Sequence, residues 1–207
     1  MTHIKLQNIS VRYPVYSTTR QRSILGFAAN RASFGRIAQD VGKIPVVTAI
    51  SDVTLTLKEG ERLALIGRNG SGKTSLLKVC AQLLVPDSGG ASIQGSSAAI
   101  LNLFAGMDSE RSGLENIELV GRLLGVPRSA RAALVEDVAQ FTELGQFLDL
   151  PIRTYSSGMT VRLAFALATS VARDILVVDE VIGAGDALFV DRAAERMRAL
   201  FNRTKIL

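Results

Sequence analysis

Residues 67–74 read Gly67-Arg68-Asn69-Gly70-Ser71-Gly72-Lys73-Thr74, a G-x-x-x-x-G-K-[ST] octapeptide complete at every fixed position. No other feature constrains the chain so tightly. Gly67, Gly70 and Gly72 let backbone N–H groups turn inward, without a Cβ in the way, around an anion of phosphate size. Lys73 brings an ammonium for the β- and γ-phosphates of a nucleotide, and Thr74 a hydroxyl for Mg²⁺. A helix starting at this point aims its positive end at the same anion. The motif needs a strand before it and a helix after it. The apolar run 62–66 is expected to supply the strand, and apolar spacing over 73–84 predicts the helix, with Ser75 in its first turn. ATP or GTP binding follows from this local chemistry alone.

The rest of the chain reads as an α/β protein. Alternation over 4–13 and 50–57 predicts strands of an early antiparallel layer, joined to the motif by a turn at Lys58-Glu59-Gly60. Short strands follow near 91–94 and 97–101, then helical patterns over 114–124, 129–144 and 157–172. The unbroken apolar run 175–178 is expected as a strand buried on both faces, and 187–201 as a last helix before a short strand at 205–207. Strands alternating with helices in the second half indicate a parallel core. With 207 residues, one domain is expected.

Charge and composition narrow the setting. The net charge is +5, and residues 17–44 hold most of it: Arg20, Arg22, Arg31, Arg36 and Lys43 against Asp40 alone. Within that segment Ile24, Phe27, Phe34, Ile37 and Val41 recur near helical spacing, predicting one or two short amphipathic helices in a basic insertion. Without base-reading or stacking residues the insertion does not read as a nucleic-acid surface. An anionic lipid or acidic partner surface fits it, as does a solvated basic loop. Cys80, the single cysteine, excludes an internal disulfide, fits a reduced compartment, and reads as a core residue among Leu76, Leu77, Val79 and Leu83. No stretch reaches the ~20 apolar residues that span a bilayer. Any membrane role is then peripheral.

The run Ile175-Leu176-Val177-Val178 ends in Asp179-Glu180. In P-loop NTPases an Asp in this position holds the Mg²⁺ that bridges the phosphates, which makes Asp179 the candidate ligand. Glu180 is the candidate general base for the attacking water. Taken alone, two acids at a strand end also describe an ordinary solvated edge; the octapeptide upstream favours the functional reading.

Between these motifs, Tyr155-Ser156-Ser157-Gly158-Met159 opens a helix. A Ser-Gly pair at a helix start offers a hydroxyl, backbone N–H groups and the positive end of the dipole, a second anion cradle; the same serines also serve as a plain N-cap. This stretch resembles the signature motif of ABC transporter ATPases, in the form found in ATPase subunits of bacterial polysaccharide exporters (O-antigen, capsule and teichoic acid). Residues 181–186 are similar to that group's D-loop, and the insertion after Arg12-Tyr13-Pro14 to its N-terminal region. The resemblance spans nearly the whole chain. It implies a RecA-like P-loop core with an antiparallel β layer and a helical signature subdomain at about 102–172. It implies Mg-ATP hydrolysis between two copies arranged head to tail, with Ser156, Ser157, Gly158 and Met159 of one copy closing on the octapeptide of the other. An integral membrane permease, a lipid-linked polysaccharide cargo and a place on the cytoplasmic face of the bacterial inner membrane follow from the same resemblance. Tyr13 falls where the family stacks an aromatic on adenine, although a strand-end aromatic also suits edge packing.

The chain departs from the family pattern in two places. Where many members have a Gln that touches Mg²⁺ and the permease, the loop LNLFAGM has Asn102, one methylene shorter. The family's switch histidine is not among these residues: the one histidine is His3. The sequence stops at Leu207 where the strand before the switch begins, so either this is a truncated form or the switch is missing. Weak turnover with intact ATP binding is the expectation for these 207 residues. Rival readings are an ABC ATPase exporting a lipid or drug, a soluble ABC ATPase acting on ribosomes or DNA, and a nucleotide-binding regulatory module. One cassette without heptad repeats argues against the soluble kinds.

Overall fold

The computed structural model describes residues 1–15, 37–39, 45–179 and 187–207. They form two compact units, Met1–Ser97 with Ile206–Leu207, and Ala98–Lys205.

In the first unit the alternation of apolar residues produces β1 (His3–Pro14), which pairs antiparallel with β3 (Pro45–Lys58) on one side and β4 (Ser88–Gln94) on the other. The strand β2 (Ile37–Gln39) adds to the outer side of β3, giving the order β2–β3–β1–β4. A regular strand would send Leu6 and Ile9 to opposite faces, because their spacing is odd. Both are nevertheless fully buried. A register shift between them resolves the conflict, with Asn8 at φ 49° and Asp52 at φ 53°. The irregularity is cross-braced: Asn8 Nδ2 donates to Asp52 Oδ1 (2.7 Å), the Asn8 amide to Thr54 Oγ1 (3.0 Å), and the Asp52 amide to Ser10 Oγ (3.0 Å).

At the adjoining edge Gly89 has φ +84°, and a Cβ there would lie 2.4 Å from the carbonyl oxygens of Gln7 and Asn8. Gly89→Ala is therefore expected to cost about 2–3 kcal/mol, from left-handed strain and a backbone clash together. The readout is the urea midpoint. Nucleotide affinity should be spared, because the lesion lies in the β1–β4 pairing.

Helix α1 (Lys73–Cys80) follows the octapeptide and is shorter than the expected 73–84. Gln82 adopts φ 60°, the Gln82 amide donates to the Val79 carbonyl (3.0 Å), and the Leu83 amide donates to the Lys78 carbonyl (2.8 Å). This is a Schellman closure with Gln where Gly is usual, so the apolar spacing runs on past the point where the backbone reverses. Burial pushes the Cys80 thiol up to about 11, which keeps it protonated as a core residue.

Two other expectations are corrected. Residues 62–66 form no strand: the Leu63 amide donates to the Leu207 carbonyl (2.7 Å) and the Leu207 amide to the Glu61 carbonyl (3.3 Å), but Ile66 is 97% exposed. Apolar side chains favour a strand, yet a strand exists only where a neighbouring backbone closes a ladder. Ile37, read as part of an amphipathic helix, lies instead in β2, where pairing with Val47 overrides the helical spacing. The other insertion residues so read, Ile24, Phe27, Phe34 and Val41, lie outside the described residues, as do its five basic residues.

The second unit holds β5 (Ser97–Ile100) and β6 (Ile175–Val178) as neighbours in a two-stranded sheet. Between them in sequence run α2 (Gly113–Leu123), α3 (Arg131–Thr142) and α4 (Ser157–Ala168); α5 (Ala187–Arg203) follows. Helix α2 opens with a capping box: Ser112 Oγ accepts from the Glu115 amide, and the Glu115 carboxylate accepts from the Ser112 amide. Ile117, Val120, Leu134, Val138, Leu163 and Leu167 make the apolar centre of these three helices. Phe189 of α5 closes a cluster with Phe141 and Phe165, ring centroids 5.8–5.9 Å apart. Arg196 lies over the Phe141 ring (4.6 Å) while its guanidinium forks onto Asp137. No helix among the described residues is long and apolar enough to cross a membrane.

Candidate nucleotide site

The octapeptide turns through two left-handed glycines, Gly70 at φ 75° and Gly72 at φ 99°. The Ser71 amide donates to the Arg68 carbonyl (3.1 Å) and closes the turn, leaving Asn69 exposed at its tip. Gly72 is the N-cap of α1 and lies so close to β3 that a Cβ would stand 2.3 Å from the Ala49 carbonyl oxygen. Only glycine fits there. Lys73 Nζ curls back over the loop and donates to the carbonyls of Gly67 (2.9 Å) and Arg68 (3.2 Å). An ammonium held by neutral carbonyls in the mouth of a glycine loop is poised for a stronger, anionic acceptor.

Thr74 is exposed in the first turn of α1, and Ser75 beside it is buried. Ser75 Oγ lies 3.2 Å from the Tyr13 hydroxyl, which joins the end of β1 to the helix start and leaves the tyrosine ring partly exposed there. Residues 67–75 contain no carboxylate, so the cradle is built of donors. That composition fits a polyphosphate.

In the second unit, Asp179 follows β6, and its amide donates to the Ile100 carbonyl of β5 (3.2 Å), which fixes the residue at a strand end. Asn102 is exposed and uses its own Oδ1 to accept from the Phe104 amide (3.0 Å), an Asx turn that shapes the 102–107 loop. Thr74 and Asp179 offer hard oxygen ligands of the type Mg²⁺ takes. No cluster of three or more His, Cys, Asp or Glu that could cage a metal occurs among the described residues. Glu180 and residues 181–186 lie outside the described residues.

The serine-glycine stretch begins α4 as expected. Ser156 is the N-cap: its Oγ accepts from the Met159 amide (3.3 Å) and its carbonyl from the Thr160 amide and Thr160 Oγ1. Ser157 is exposed, and Gly158 is half-buried with only the Ser156 hydroxyl, at 4.0 Å, near where a Cβ would be. The plain N-cap and the anion cradle share one set of atoms.

Behind this helix start lie Asn116, which the sequence reading does not single out, and Tyr155, which it names only as a motif position. Asn116 is fully buried in α2: its Oδ1 accepts from the Asp108 amide (2.8 Å), and its Nδ2 protons are shared among the carbonyls of Asp108, Arg111 and Ser112. Tyr155 donates its hydroxyl to the Phe147 carbonyl (2.6 Å), and burial holds the phenol above its ordinary range. The only sequence hint was the capping box, which marks the start of α2 but not what Asn116 does there.

Loop, helix starts and strand-end acid together define a P-loop ATPase of the cassette type. A family profile described as ABC transporter matches residues 50–183. Over 198 residues the chain is 41% identical to the O-antigen export system ATP-binding protein RfbE of Yersinia enterocolitica, covering 96% of this chain and 82% of that one. Over 152 residues it is 44% identical to RfbB, of the same description, from Myxococcus xanthus, covering 73% of this chain but 35% of the relative. Among solved structures, a dimeric ATP-binding cassette in a post-hydrolysis state with ADP and Pi superimposes with a TM-score of 0.67 at 19% identity, covering 98% of this chain and 86% of that one. The chain belongs to the ABC transporter family, and its fold is the ATPase cassette.

Proposed function

We propose that two copies of this chain bind and hydrolyse Mg-ATP at a shared, head-to-tail interface and so drive export of a polysaccharide. The observation that carries the reading is the presence of two anion-directed helix starts in one cassette: α1 behind Gly72 and Lys73, and α4 behind Ser156 with Ser157 exposed and Gly158 half-buried. A single triphosphate has little use for both from one chain. Grip from two copies uses both.

In this scheme Gly67, Arg68, Asn69, Gly70, Ser71, Gly72, Lys73, Thr74 and Ser75 cradle the phosphates, and Tyr13 stacks on adenine. Thr74 and Asp179 would hold Mg²⁺, and Asn102 takes the place of the family's Mg²⁺-touching Gln. Bound Mg²⁺ neutralises charge on the phosphates. Glu180 takes the proton of the attacking water, while Lys73, with Ser157 and Gly158 of the second copy, stabilises charge on the transferred phosphoryl group.

The polysaccharide assignment rests on likeness to RfbE and RfbB, whose descriptions name O-antigen export. An integral permease and the inner face of the bacterial inner membrane follow for this chain on the same footing. Glu180→Gln, which keeps shape and removes the base, should lower hydrolysis by about 10²-fold with ATP affinity unchanged. It should also accumulate an ATP-bound dimer on size exclusion. Undiminished phosphate release would remove Glu180 from the mechanism. ATPase activity stimulated by lipid-linked glycan, and not by lipid alone, in complex with the permease would separate polysaccharide from lipid or drug export.

A further inference from the structure

The segment before α2 and the segment before α4 are laced together. The Ile152 amide donates to the Arg111 carbonyl (3.0 Å), the Arg153 amide to the Ser109 carbonyl (3.0 Å), and the Gly113 amide to the Leu150 carbonyl (3.3 Å). Ser112 and Pro151 form an antiparallel bridge, and Arg153 pairs with Glu110 (3.1 Å). Asn116 braces one side of this seam from within α2. The Tyr155 hydroxyl closes the other, bonded to the Phe147 carbonyl and lying 2.5 Å from where a Gly113 Cβ would be. Tyr155 is also the residue immediately before the Ser156 cap.

We propose that Tyr155 is a positioning residue: its hydroxyl bond to the Phe147 carbonyl pins the Ser156-Ser157-Gly158 helix start to the turn Gly145–Asp149, whose Leu148 packs against Gly113 at the beginning of α2. The proposal rests on the reading that this helix start grips the second copy's ATP. Several features favour a specific lock over general packing. The hydroxyl reaches a backbone carbonyl that belongs to neither α2 nor α4. Gly113 gives up its side chain to admit it. Among the described residues, the bonds to the Ser156 cap all come from its own helix, from the Met159 amide, the Thr160 amide and Thr160 Oγ1. The direction of that helix start against its surroundings therefore depends on the residue that precedes it.

Tyr155→Phe removes the hydroxyl and keeps the ring. Three quantities separate the outcomes: fluorescent-ATP affinity of the isolated chain, which reads the octapeptide; ATP-driven dimerisation in the Glu180→Gln background, which reads the serine-glycine cradle; and the melting temperature. The expected result is ATP-driven dimerisation weakened about tenfold, the loss of one well-formed hydrogen bond, with monomer ATP affinity within twofold of the parent. Tyr155→Leu should match the Phe variant in dimerisation, because neither donates a hydrogen bond.

The positioning role is overturned if Tyr155→Phe dimerises like its parent. It is overturned equally if dimerisation falls only in step with ATP affinity and melting temperature, as a bystander in packing would behave. If the parent itself never dimerises with ATP, the two-copy reading fails first, a result distinct from either of these.

Discussion

Lys73→Ala should weaken ATP binding by about 10²-fold and hydrolysis by about 10³-fold, while the melting temperature stays within a few degrees. The two predictions separate because of how the side chain is placed. Among the described residues its ammonium bonds to the carbonyls of Gly67 and Arg68, on an exposed loop, so removal leaves no buried partner there stranded. Such bonds are largely replaceable by water and contribute little to folding. A triphosphate cannot be served by water in the same way. Charge-assisted hydrogen bonds are roughly twice as strong as neutral ones. The charge on the phosphoryl oxygens is also redistributed in the transition state, where a fixed cation contributes most. Titration with a fluorescent ATP analogue and a phosphate-release assay measure the two losses; unchanged affinity would remove Lys73 from the site.

Asn116→Ala should destabilise the fold by about 2–3 kcal/mol. Most of its partners survive the change: the Arg111 carbonyl keeps the Ile152 amide, the Ser112 carbonyl keeps the amide of residue 116 itself, and the Asp108 carbonyl keeps the Arg111 amide (3.3 Å). The Asp108 amide loses the bond that the side chain made to it. One stranded backbone donor at about 1–3 kcal/mol, with a small cavity added, reaches the stated figure. The urea midpoint should fall with an unchanged slope, and ATP affinity of the surviving folded fraction should remain. Asn116→Asp retains the acceptor for the Asp108 amide but sets a buried carboxylate against the carbonyls of Asp108, Arg111 and Ser112, and is expected to cost at least as much as Ala. A drop below 1 kcal/mol for Ala would mean that the loop before α2 finds other partners.

What could be read from residues alone depended on how local the determinant was. The octapeptide was fully legible because its glycines, its lysine and the following helix act within ten residues. The N-cap at Ser156 was legible for the same reason. The strand at 62–66 was misread because apolar content says nothing about which backbone will pair. Helix α1 was overrun because Gln82, an unremarkable residue in a helical pattern, takes the left-handed conformation that reverses the chain. Ile37 kept helical spacing and was taken into β2 by pairing with β3. Asn116 and Tyr155 were invisible as a pair: one looks like a poor helix former, the other like a motif position, and their shared role appears only when segments about forty residues apart meet.

Helix α4 is fastened at both ends as well as along its side. Its far end stops at Thr169, whose hydroxyl donates to the Phe165 carbonyl (2.7 Å) and accepts from Arg196 Nε (2.8 Å), the same arginine that forks onto Asp137. Between the two ends Leu163, Ala164, Phe165, Ala166 and Leu167 are buried in sequence, leaving little slack for the rod to flex. The Arg196–Asp137 pair thus anchors the end of the rod opposite Ser157 and Gly158.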